Sequence, residues 1–106
     1  MPTSIISADI ELPAAVIELA AKLGVTAQLP LVLEMTRSVF PESRLEVEVY
    51  QDHEIEGDVF LAVVVRHDID DPHELVRASS NWHRRLFDCC SAPLAGAFLL
   101  DTDWRP

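Results

Sequence analysis

The chain has 106 residues, 49% of them hydrophobic, and a formal net charge of −10 from 8 basic and 18 acidic side chains. That length holds one domain with a core of its own, and the apolar content with a mean hydropathy of +0.16 excludes a disordered chain despite the charge. The negative field disfavours direct contact with nucleic acid or an anionic membrane surface, and it favours a basic protein partner or a cation.

Residues 1–10 carry little signal and read as a loose arm or a short extra strand. Pro13 suits a first helical turn, and Val16, Ile17, Leu19, Ala20 and Leu23 then form an apolar stripe closed by Gly24. Thr26 is placed to cap a second helix with Pro30 in its first turn. Leu29, Val32, Leu33, Thr36 and Phe40 line one face of that helix, Leu31, Met35 and Val39 widen it, and Pro41 stops it. A helix this apolar needs cover on more than one side.

Residues 44–50 alternate apolar and charged, the pattern of a half-buried strand, whereas residues 59–65 are apolar on both faces. The connection is residues 52–58, with Gly57 as its position for positive φ. Setting Tyr50 opposite Phe60, Glu48 opposite Ala62 and Glu46 opposite Val64 gathers the large aliphatics on one face; a slip of one residue would put the glutamates there. The second face then carries Tyr50, Phe60, Ala62 and Val64, rimmed by Arg44, Glu46, Glu48 and Arg66.

Asp71-Pro72-His73-Glu74 is a specific helix start, with an Asp cap, Pro at the first position and Glu at the third. Leu75, Ser79, Trp82, Leu86 and Cys89 form the inward stripe of this third helix, flanked by Val76, Phe87 and Cys90. His73, Arg77, Asn81, Arg84 and Asp88 face out, with Arg77 spaced to pair with Glu74 and Arg84 with Asp88. Pro93 and Gly96 end the helix, and residues 97–100 make a third short strand ending in Asp101 and Asp103. If the last two strands are parallel, the crossover is right-handed and puts residues 59–65 in the middle. The expected fold is a small single α+β domain over 1–106, order α-α-β-β-α-β, with a three-stranded mixed sheet packed with helices. Either the first two helices cover one sheet face and the third the other, or one face pairs with a second chain.

His67, Asp68, Asp70 and His73 form the densest group of potential metal ligands, suited to a divalent cation. Asp68 and Asp70 look like the start of a calcium loop, but no glycine follows at the turn position and the twelfth residue is Ser79. Asp71 and Glu74 are accounted for as helix-start residues and the remainder as a solvated loop. Cys89 and Cys90 are adjacent, which disfavours a disulfide between them and fits a reducing, cytoplasmic setting. No basic residue precedes an apolar run in the first nine residues, so no signal peptide is expected. His83 lies six and seven positions before the cysteines, nearly two helical turns away, so it is read as an edge-of-core histidine and not as their base.

Residues 19–26 resemble the first helix and turn of a helix-turn-helix DNA reader, with Ala20 four residues before Gly24. Residues 27–33, where the recognition helix would lie, contain no basic side chain and carry Pro30, so the segment reads as a helix–glycine–helix corner. With Gly24, Gly57 and Gly96 as its three glycines, the chain has no phosphate-binding fingerprint. Expected instead is a non-enzymatic interaction or regulatory domain without a resident cofactor. It would be a homodimer or the partner of a basic protein, in the manner of an inhibitor or antitoxin, and would use Tyr50, Phe60, Ala62, Val64 and Arg66. The alternatives are a metal-dependent enzyme at His67–Glu74, and a small-molecule site on the apolar sheet face.

Overall fold

Gly24 sets the first corner of the fold. A computed structural model describes residues 12–51 and 59–104; the expected N-terminal arm and the connection with Gly57 lie outside them. Helix α1, Ala14–Leu23, follows Pro13 as its cap and ends at Gly24 with φ 74°, a left-handed conformation that glycine adopts without a Cβ penalty. The chain then turns through 114° into helix α2, Gln28–Val39. Thr26 does not cap α2. The preceding residue, Ala27, is already helical, and the first N–H groups of Gln28 and Leu29 are met by the Val25 carbonyl at 3.0 and 2.9 Å.

Strands β1, Arg44–Gln51, and β2, Val59–His67, pair antiparallel with Tyr50 against Phe60, Glu48 against Ala62 and Glu46 against Val64, the register expected from the aliphatic pattern. Strand β3, Phe98–Trp104, runs parallel to β2, so the order is β1-β2-β3 with β2 in the centre. This strand continues past Leu100. Asp101 and Asp103 share the face of Val64 and Arg66, where Arg66 takes up the charge of Asp103, so the two acids do not terminate it.

Between the parallel strands lies helix α3, Pro72–Cys89; the Asp71 carboxylate accepts the His73 N–H at 3.0 Å, as the start signal requires. The helix stops before Pro93, because Cys90 is fully extended (φ −142°, ψ 148°), and a separate single turn, α4, Ala92–Ala95, carries that proline in its first positions. Val76 and Phe87, expected beside the inward stripe, are exposed.

Among the described residues, the three long helices lie on one side of the sheet. Val16 and Ala20 of α1, Leu29, Val32 and Leu33 of α2, and Trp82 and Leu86 of α3 form one core cluster with Leu45, Val47, Leu61, Val63, Val65 and Phe98. Those sheet residues belong to a single alternation of each strand, so the arrangement with α3 on the opposite face does not occur. A buried relay pins α3 to α2: the Trp82 indole N–H donates to Thr36 Oγ1 at 2.8 Å, and the Thr36 hydroxyl donates to the Val32 carbonyl at 2.6 Å. Among the described residues, no side-chain N or O atom fully cut off from water lacks a hydrogen-bond partner.

Candidate functional site

With the helices on one side, the other alternation of the sheet becomes the surface of interest. Strand β1 contributes Arg44, Glu46, Glu48 and Tyr50, β2 contributes Phe60, Ala62, Val64 and Arg66, and β3 contributes Leu99, Asp101 and Asp103. Ala62 and Val64 are buried but stand apart from the core cluster. The accessible apolar area is concentrated at one end, where Tyr50 is 48% exposed and Phe60 and Leu99 are half-buried. The rings of Tyr50 and Phe60 are 6.4 Å apart and inclined at 37°, an ordinary aromatic cross-strand pair.

Charge occupies the other end. Arg66 reaches across all three strands: its Nε and Nη2 donate to the Glu46 carboxylate at 2.8 and 3.2 Å, and its Nη1 pairs with Asp103. The Glu46 hydrogen bond raises the affinity of this guanidinium for its proton beyond the usual value; desolvation opposes it, and the charges of Glu46, Asp103 and Glu48 add to it in turn. Arg44 stands opposite Arg66 and is exposed, and the two line an open cleft of about 470 Å³ with Glu42 and Glu46. The expected interaction residues Tyr50, Phe60, Ala62, Val64 and Arg66 thus share one face. Leu99, Asp101 and Asp103 complete it; the sequence signal for them is the alternation of residues 98–104, which becomes readable once β3 is recognised as a full strand.

The proposed metal ligands separate. His67 is buried on the core side of β2, while Asp68, Asp70 and His73 are exposed beyond it. Among the described residues, no three His, Cys, Asp or Glu side chains converge as a cation site. His67 instead lines an open cleft of about 430 Å³ at the end of the sheet with Ile69, Asp70, Pro72, Leu75, Thr102 and Trp104. Residue-type reasoning grouped His67 with the acids next to it in sequence, and the pleat turned it toward Trp104, its pairing partner.

The thiols are not arranged as nucleophiles. Burial pushes both Cys89 and Cys90 above the ordinary thiol value, the Cys89 sulfur faces the Leu31 carbonyl at 3.7 Å, and His83 is exposed rather than at the edge of the core, with its Nδ1 engaged by the Ser79 carbonyl at 2.8 Å. On the outer face of α3, Arg84 donates to Asn81 at 2.9 Å and Arg85 to Ser38 at 3.1 Å; this cross-helix bond to α2 absorbs Arg85. No single helix among the described residues is long and apolar enough to cross a membrane. No protein-family model, curated protein or solved structure matches the chain.

Proposed function

We propose that this chain is a non-enzymatic interaction domain that self-associates through the sheet face opposite its described helices, in a cytoplasmic setting that suits its free cysteines. The observation that carries the reading is the composition of that face: an apolar end at Tyr50, Phe60 and Leu99, and unlike charges around it. A second copy fits such a surface. Arg44 and Tyr50 lie at opposite ends of the same side of β1, so a two-fold axis across the strands sets each arginine over the aromatic end of its partner, near Glu48. An isologous interface of this kind needs both halves on one patch.

Area decides how tight the association is. Strands of about 26 Å lying ~4.8 Å apart give a three-stranded face of a few hundred Å², below the roughly 800 Å² per partner of a standard stable interface. The dimer is therefore transient, with dissociation in the micromolar range. Because each copy carries −10, screening by salt strengthens self-association, whereas it weakens binding to a basic partner.

Sedimentation equilibrium over roughly 1–500 μM protein spans the expected range of dissociation constants. The expected result is a monomer–dimer equilibrium that shifts toward dimer between low and high salt and is abolished by Phe60→Glu, with an unchanged circular dichroism spectrum. A monomer at every concentration and salt, indistinguishable from Phe60→Glu, overturns the reading.

A further inference from the structure

The open cleft at the His67 end lies on the core side of the sheet, away from the face proposed for self-association. It sits at the carboxyl ends of the parallel strands β2 and β3, where α3 begins. Its volume of about 430 Å³ matches a small organic molecule. Ile69, Pro72 and Leu75 supply apolar walls, and Trp104, 54% exposed, offers an open aromatic surface.

Two polar groups define what the cleft takes. His67 is 2% exposed, and its Nδ1 accepts the Ile69 N–H at 3.1 Å. That bond places the ring proton on Nε2, which finds no protein partner among the described residues. Asp70, on the same lining, supplies an acceptor of the opposite kind. A ligand head must therefore accept from a histidine N–H and donate to a carboxylate. A carboxylate head meets Asp70 as a like charge and enters against the field of the whole chain.

We infer that this open cleft binds a small neutral molecule with a planar apolar body and an amide-like head, its carbonyl toward His67 and its N–H toward Asp70. Benzamide is a minimal probe, and benzoate is its anionic counterpart of nearly the same shape. In a ¹H–¹⁵N titration of the intact chain, benzamide is expected to bind in roughly the millimolar range, as its few heavy atoms allow. It should move the amides of Ile69 and Thr102 and the indole of Trp104. Benzoate is expected to bind at least about tenfold more weakly. Trp104→Ala, at a half-exposed site, should weaken benzamide by roughly fivefold, while Tyr50→Ala on the opposite face leaves it unchanged. No movement of those three signals at about 20 mM benzamide, equal binding of benzoate, or shifts confined to the Tyr50 face would each overturn the assignment. The comparison of the two ligands holds even if the Trp104 variant does not fold.

Discussion

The two faces of strand β2 are both apolar, and they are buried by different means. On one side Leu61, Val63 and Val65 disappear beneath three helices as part of a continuous core. On the other, Ala62 and Val64 are 6% and 3% exposed without belonging to that core; their neighbours are Glu46 and Glu48 on β1 and Leu99 and Asp101 on β3. Two-sided apolar character in a strand therefore signals burial without specifying a second layer of helices. Among the described residues, the cross-strand neighbours of Ala62 and Val64 are mostly long polar side chains.

The largest expected difference between the faces is in stability. Trp82 is the largest fully buried side chain and lies under the core side, so Trp82→Ala should cost about 3–5 kcal/mol. Phe60→Ala, on the half-buried outer side, should cost about 1 kcal/mol or less. Urea unfolding of both variants measures this directly; equal costs would mean that the outer face is as integral to the fold as the core.

Next in size is the relay that holds α3 against α2. Thr36→Val preserves shape but leaves the buried Trp82 indole N–H without its acceptor, an expected loss of about 1–3 kcal/mol. Adding Trp82→Phe to Thr36→Val removes the stranded donor. The double variant should therefore lose less than the sum of the two single ones, and a strictly additive result in a double-mutant cycle would deny the coupling.

Much of this arrangement was legible in the residues. The β1–β2 register follows from the need to keep Glu46 and Glu48 away from the aliphatic side, and Asp71-Pro72-His73-Glu74 located the start of α3 without ambiguity. What was not legible depended on tertiary partners. Asp101 and Asp103 read as the end of a strand until Arg66 reached across to Asp103. Thr26 is a good capping residue, yet the backbone of Val25 met the orphan donors first. His67 looked like a metal ligand because its sequence neighbours are acidic, and alternation along β2 sent it to the opposite side from Arg66. Which face α3 would choose could not be read from its stripe alone, since the stripe says what is buried and not against what.

The smallest expected effect sharpens the contrast most. Arg66 sits on the outer side of β2 and ties β1 to β3 through Glu46 and Asp103, with all three groups partly open to water. Partly exposed ion pairs stabilise weakly and fade as salt screens them. Arg66→Met keeps the stem and removes the charge, so it should lower the melting temperature slightly in dilute buffer, with the difference shrinking in concentrated salt. Trp82→Ala should show no such shrinkage, because its loss comes from packing rather than charge. A salt-independent deficit in Arg66→Met would mean that the arginine acts through its aliphatic stem and its place beside Val64, and the outer face would then be held by the same apolar packing as the inner one.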